Sequence, residues 1–384
     1  MKRALLGLAV SGAIASAAVP VVALVAMTPG HYGAFSLLYL FYALGNSLQL
    51  SVVCDPFVRL RGREAVTWAG YSAMSCVVSC FAGLTVLIVG LALDLLRPEI
   101  GVLTVAVAIM LWRGGARFFA LVDARFGAVI LADMLAILGF AVGLTLGVVL
   151  DDATAGVAFG WLGLAIGGSV GLGLPRFVRH DGAVSWVSKH RTTIAPLLGD
   201  SLVMDAGAIG GPLLVARILG VAQFGTYRAV SNVALPVRLV LDPLRPLISS
   251  GPVAAWFRPR GLLVIGIATI ALGAGAWLAL AVLLPLLPFE LGTLSSLTAY
   301  ALPTAVFVAA SFLGHFFYVV GRGQARGSAI AVSRIVQTIL FIVLPVLGAL
   351  AGGLESAIWG FSLATVISSL SWALTALPRH TRGG

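Results

Sequence analysis

Polar residues, glycines and prolines cut the chain into apolar blocks near 4–27, 33–56, 66–93, 99–119, 127–150, 155–175, 195–217, 223–248, 261–287, 294–319, 328–350 and 353–376. A bilayer core of roughly 30 Å needs about 20 helical residues, and the blocks are of that order. The pattern therefore predicts twelve transmembrane helices. Cations alternate with it. Lys2/Arg3, Arg59/Arg61/Arg63, Arg117/Arg125, Arg176/Arg179/Lys189/Arg191, Arg258/Arg260, Arg322/Arg326 and Arg379/Arg382 fall on one side, and TPGHYG, DLLRPE, DDAT, PFELGT and AGGLES on the other. The positive-inside rule then puts both termini in the cytoplasm, for a multi-pass protein of a bacterial inner membrane. The start, MKRALLGLAVSGAIASAAVP, also has the form of a signal peptide, and its removal would leave eleven spans with the same alternation.

An internal repeat argues for keeping that first block. At an offset of 192, Leu5, Leu6 and Gly7 fall on Leu197, Leu198 and Gly199, Pro20 on Pro212, Tyr32 and Gly33 on Phe224 and Gly225, and Phe35 on Tyr227. Farther along the offset becomes 201, with Ala124 and Arg125 on Ala325 and Arg326, while Asp55-Pro56 matches Asp242-Pro243 across a gap. Six spans per copy keep both copies in one orientation, so the expected architecture is all-α, with two six-helix lobes related by a pseudo-twofold axis along the membrane normal. The lobes are 1–175 and 195–384. Between them 176–194 forms a cytoplasmic linker whose mixed cations and apolar residues suit either the inner leaflet surface or plain solvation.

Composition narrows the function class. The 384 residues are 60% hydrophobic and only 10% charged, with mean hydropathy +1.07, which excludes a water-soluble enzyme. The net charge of +10 is sorted by loop, so it points to anionic lipid and not to nucleic acid. Cys54, Cys76 and Cys80 read as small buried hydrophobes. No catalytic constellation, metal-ligand spacing or cofactor motif is present: GRGQARG lacks a P-loop lysine, and among the five histidines only His315 lies within a block. Gly156, Gly160, Gly163, Gly167 and Gly171 form a small-residue ridge suited to close helix packing.

Charges inside the blocks are costly and therefore mark candidate sites. Asp200, Asp205, Arg217 and Arg228 correspond in the first copy to Leu8, Ala13, Val25 and Ser36, so the helix packing does not require them. Asp205 lies ten residues into the seventh block, about 15 Å deep and near the midplane. Asp133 and Arg334 are six residues into their blocks and coincide at the offset of 201, so two opposite charges are expected on a shared cleft. Arg228 and Asn232 lead the outer end of the eighth block. Arg238, Asp242 and Arg245 make an alternating ladder at its inner end, and Arg113 is expected to snorkel. Pro20, Pro212 and Pro236 should kink their helices. The cavity candidates are thus Asp205, Arg334, Asp133, Arg228, Asn232, Asp200 and Arg238.

With twelve helices in two lobes, PGHYGAFSLLY entering the second block and ILGVAQFGTYRAVSN entering the eighth, the whole chain resembles the multidrug/oligosaccharidyl-lipid/polysaccharide exporter superfamily, most closely its polysaccharide-exporter or O-antigen-flippase branch. The two extra helices typical of lipid II flippases have no counterpart after residue 384, which points away from that branch. The resemblance implies a non-enzymatic flippase that moves a polyprenyl-diphosphate-linked oligosaccharide to the outer leaflet. It also implies Na⁺ or H⁺ as a possible coupling ion, and a polymerase and glycosyltransferases as partners. Two alternatives stay open: a cation-coupled multidrug antiporter of the same superfamily, and a non-transporting scaffold of a glycan assembly complex.

Overall fold

The computed structural model describes residues 2–60, 67–174, 182–237, 241, 248, 256–324 and 327–377, and among these the chain is helical without strands. In chain order the helices are α1 (Lys2–Ala26), α2 (Pro29–Leu60), α3 (Trp68–Ala92), α4 (Ile100–Val122), α5 (Phe126–Leu150), α6 (Ala153–Ser169), α7 (Ala183–Leu219), α8 (Val221–Val233), α9 (Pro259–Leu286) and α10 (Ala301–Gln324). A final helical run, Gly327–Ala376, is broken by the non-helical Gly352 and Gly353 into α11 (327–351) and α12 (354–376). Eight of the described helical segments are long and apolar enough to cross a membrane, one of them being the α11–α12 run, and two shorter apolar helices lie at Ser11–Ala26 and Ala153–Ser169. Apolar sequence sets these lengths and local chemistry sets their ends. Thr67 caps α3 by accepting from the Gly70 amide, and Asp152 caps α6 by accepting from the Thr154 and Ala155 amides at 2.7 and 3.1 Å.

The chain divides into two compact units. Unit 1 is Met1–Met27 with Ala34–Asp205, and unit 2 is Thr28–Gly33 with Ala206–Gly384. In unit 1, α5 and α6 make the most extensive pairing, α1 packs on both, and α4 joins α3 to α6. In unit 2, α10 packs on α9 and on the α11–α12 run, which also holds the second part of α7.

The ridge expected on α6 is observed, and it faces α5. A Cβ on Gly139 would lie 2.2 Å from the Gly163 carbonyl oxygen, and one on Gly143 2.2 Å from that of Phe159. These helices touch backbone to backbone, which in lipid gives dispersion contacts that larger side chains would prevent. Gly171 is outside the ridge: it has φ +80 in the turn after α6. Unit 2 contains a helix pair built alike, because a Cβ on Gly360 would lie 2.4 Å from the Leu344 carbonyl oxygen.

Two features differ from the hydropathy reading. Of the segment before the seventh block, 176–181 lie outside the described residues. From Ala183 onward it is the start of α7, with Trp186, His190 and Ile194 buried at successive i, i+4 positions. Trp186 packs with Val53, Cys54, Phe57, Tyr71 and Val78, and its indole Nε1 donates to the Val52 carbonyl at 2.9 Å. A helix whose apolar stripe finds a protein surface continues past the hydrophobic block, so charge alone misplaced its start. The second feature is a set of π-turns at Leu50–Cys54, Ala206–Gly210 and Ala279–Leu283. Each begins six residues before a proline, namely Pro56, Pro212 and Pro285. A proline has no amide proton and its ring clashes with the carbonyl four residues back, and a widened turn relieves both. Pro20 stays inside regular α1, and at Pro236 the chain has already left α8 at Ala234.

Candidate functional site

Among the described residues, embedded polar side chains gather in several clusters. The first is in unit 1, where Asp133 on α5 is 0% exposed. Its Oδ1 accepts from Arg113 Nη2 at 2.7 Å and from Arg117 Nε at 3.0 Å, and its Oδ2 from Arg117 Nη2 at 2.9 Å and from Ser11 Oγ at 3.0 Å. Arg117 thus grips the carboxylate as a two-pronged fork. Arg113 is 4% exposed. It does not snorkel: its guanidinium turns inward because a carboxylate is within reach. Each arginine also lies over a glycine. A Cβ on Gly12 would be 2.6 Å from Arg117 Nη2, and one on Gly168 1.9 Å from Arg113 Nε. The cluster therefore joins α1, α4, α5 and α6, and it consumes Asp133 inside its own unit.

The second is a polar seam at the π-turn of α2. Gln49 Nε2 donates to Ser75 Oγ at 3.1 Å and to the Leu111 carbonyl at 2.9 Å, leaving Gln49 Oε1 buried without a partner among the described residues. The Ser51 and Ser201 hydroxyls are hydrogen bonded to each other. Asp205, the last residue before the α7 π-turn, sits beside Ser47 and is 8% exposed, and its Oδ2 has no hydrogen-bond partner among the described residues. Asp200, one turn earlier, is exposed and belongs to no cluster.

The third is in unit 2. Arg334 on α11 is half-buried, with Cζ 5.1 Å from the ring centroid of Tyr318 on α10 and 5.5 Å from that of Trp372 on α12. Arg334 Nη1 donates to Gln337 Oε1 at 3.1 Å, and Trp372 Nε1 donates to the same oxygen at 3.4 Å. Beside it Ser333 is buried against the Thr375 hydroxyl and accepts from Ser371 at 3.1 Å. No carboxylate pairs with Arg334 among the described residues.

Elsewhere in unit 2, Gly33 and Gly225 bring residues 28–33 against α8. A Cβ on Gly33 would be 1.9 Å from the Val221 carbonyl oxygen, and one on Gly225 2.0 Å from that of Pro29. Asn232 Nδ2 donates to the Tyr32 hydroxyl. The Tyr227 hydroxyl and Arg228 Nε are buried without hydrogen-bond partners among the described residues. Arg238, Asp242 and Arg245 lie outside the described residues.

Sequence reading missed Arg117, Gln49, Tyr318 and Trp372. Arg117 is countable as a loop cation, but its spacing of four from Arg113 puts both on one face of α4, and that was the available signal. Aromatic residues in an apolar helix carry no comparable mark. Among the described residues no three His, Cys, Asp or Glu side chains gather as a metal site.

No family model and no curated protein sequence matches the chain. Solved structures do. The chain is similar to an inward-facing multidrug-resistance MATE-family transporter of the MOP superfamily, with TM-score 0.64 and 14% identity over 94% of this chain and 93% of that one. It is similar to the lipid II flippase MurJ in an inward closed conformation, with TM-score 0.62 and 11% identity over 96% of this chain and 86% of that one. An outward-facing MATE transporter matches with TM-score 0.56 and 14% identity over 97% and 95%. These neighbours are transporters and flippases, and their likeness runs through almost the whole chain. The protein has the fold of the multidrug/oligosaccharidyl-lipid/polysaccharide exporter superfamily.

Proposed function

We propose that this membrane transporter moves a polyprenyl-diphosphate-linked oligosaccharide from the inner to the outer leaflet of a bacterial inner membrane, by alternating access, for polysaccharide biosynthesis. In this reading twelve spans form two six-helix lobes, 1–175 and 195–384, related by a pseudo-twofold axis, with both termini cytoplasmic. Close contacts that recur at the offset of 201, Gly143 with Phe159 and Leu344 with Gly360, support the repeat. A polymerase and glycosyltransferases would supply and consume the lipid-linked sugar.

The observation that carries the substrate class is the sign of the uncommitted charge. Asp133 is neutralised by two arginines of its own unit, whereas Arg334 and Arg228 Nε have no acidic partner among the described residues. That surplus favours an anionic cargo, whose diphosphate would be held by guanidinium forks while the lipid tail stays in the bilayer. Deleting the gene should make a lipid-linked oligosaccharide accumulate on the cytoplasmic side. Unchanged lipid-linked sugar in both leaflets would overturn the reading.

The second reading, a cation-coupled multidrug antiporter, draws on Asp205, whose unpartnered Oδ2 beside Ser47 is what a Na⁺ or H⁺ site needs. In the flippase the same carboxyl would take the coupling ion. A non-transporting scaffold fits less well, since it would have no reason to keep Asp205 Oδ2 and Arg228 Nε buried and unpaired.

A further inference from the structure

We infer that Tyr318, Trp372 and Gln337 are positioning residues that hold Arg334 as a fixed guanidinium whose counter-ion is an oxyanion of the cargo. The inference rests on the flippase reading and adds to it the residues that set the site.

Residues 201 apart take corresponding places in the two units: Asp133 and Arg334, Arg117 and Tyr318, Arg113 and Gly314, Gly168 and Ser369. The contacts correspond as well. In unit 1, Arg113 lies over Gly168, and in unit 2 a Cβ on Gly314 would meet Ser369 Oγ at 2.6 Å. In unit 1, Arg117 holds Asp133 by a fork, and in unit 2 Tyr318 lies against Arg334. The carboxylate has become a cation, one arginine an aromatic ring, and the other a glycine. Unit 2 thus keeps a charge at this place in the helix packing but carries none of the opposite charges that neutralise it in unit 1.

What unit 2 supplies instead orients the guanidinium without cancelling it. Ring faces attract a cation through their quadrupole and leave its net charge intact. The Gln337 carbonyl takes one N–H of Arg334 and is itself fixed by the Trp372 indole, so the arginine is aimed through a chain that ends in a packed ring. Trp372 is 1% exposed and is set edge-to-face on Tyr318 at 5.0 Å. A half-buried guanidinium with remaining N–H groups, next to the hydroxyls of Ser333, Ser371 and Thr375, is donor-rich and acceptor-poor towards a ligand. Such a surface suits a phosphate of a lipid diphosphate or the carboxylate of a sugar acid, and the two share this chemistry.

The test uses the purified full-length protein in nanodiscs, titrated with farnesyl diphosphate, decyl glucuronide and uncharged farnesol, with the thermal midpoint measured for each variant. Wild type should bind farnesyl diphosphate, and Arg334→Gln should weaken that binding about tenfold or more with farnesol unaffected. Trp372→Ala and Tyr318→Leu should each weaken it about threefold, Tyr318→Phe should return it to within about twofold of wild type, and Trp372→Phe, which keeps a ring but not the N–H that fixes Gln337, should fall between wild type and Trp372→Ala. If Trp372→Ala lowers the midpoint too far to be assayed, Gln337→Met removes the shared acceptor and should give the same threefold loss. Preference for decyl glucuronide, lost in Arg334→Gln, supports the site with a sugar acid as the source of the oxyanion. A folded Arg334→Gln protein that binds the charged probes like wild type overturns the inference and leaves the flippase reading standing. Wild type that binds neither charged probe overturns both.

Discussion

The helix pairs α5–α6 and α11–α12 pack through the same kind of glycine contact, yet they handle an embedded charge in opposite ways. Asp133 is closed in by two arginines and a serine, and nothing about it is available to a ligand. Arg334 is steadied by rings and an amide and keeps its charge. The difference separates the costs of the two. A buried ion with tethered partners contributes to holding helices together, and deleting one member strands the others. A half-buried ion without a counter-charge is a standing cost to the fold and has to be accounted for by something the fold does.

Substitutions can break the comparison in order of effect. The largest is Asp133→Ala, which leaves two guanidiniums without their acceptor. It should cost about 3–5 kcal/mol and strip the folded protein from the membrane, as read by size-exclusion profiles of the solubilised protein. Gly168→Ala places a methyl where Arg113 Nε now lies, so Arg113 must leave Asp133 or α6 must shift. A loss of about 1–3 kcal/mol, seen as a lower thermal midpoint, is expected. Arg334→Ala and Asp205→Ala should change stability by less than about 1 kcal/mol, leave membrane levels normal and abolish surface glycan. Normal glycan in both would sink the cavity assignment, and loss of the protein itself would make Arg334 a structural charge like Asp133. Cys80→Ala, at an exposed free thiol, should stay within about 0.5 kcal/mol by the same midpoint measurement.

Much of the fold was legible because lipid imposes it: runs of about 20 apolar residues must be helices, and α3, α4, α5 and α9 lie within a few residues of their blocks. The small-residue face of α6 was legible for the same reason. The start of α7 was not, since Trp186, His190 and Ile194 are spaced among Lys189 and Arg191, and only the surface they meet makes that stripe a core. The embedded charges could be found in the sequence but not paired. Arg113, Arg117 and Asp133 meet through two helices whose facing sides hydropathy does not assign, so a cation that should snorkel and a cation placed in a loop both proved to be partners of one acid. The aromatic frame of Arg334 was invisible, because Tyr318 and Trp372 look like any other ring in an apolar helix.

The π-turn in α7 has a consequence for register. One extra residue in a turn rotates everything beyond it by about 100° relative to an uninterrupted α-helix. The stretch from Gly211 to Leu219 is therefore phased differently than an unbroken α-helix through 206–210 would leave it, as if the helix were spelled in two frames. In the present phase Val215 is fully enclosed and Leu214 looks outward. Deleting a single residue between 206 and 210 would keep every side chain of the second frame and turn all of them to the wrong neighbours. The spacing in that turn is thus as much a part of the message as the letters on either side.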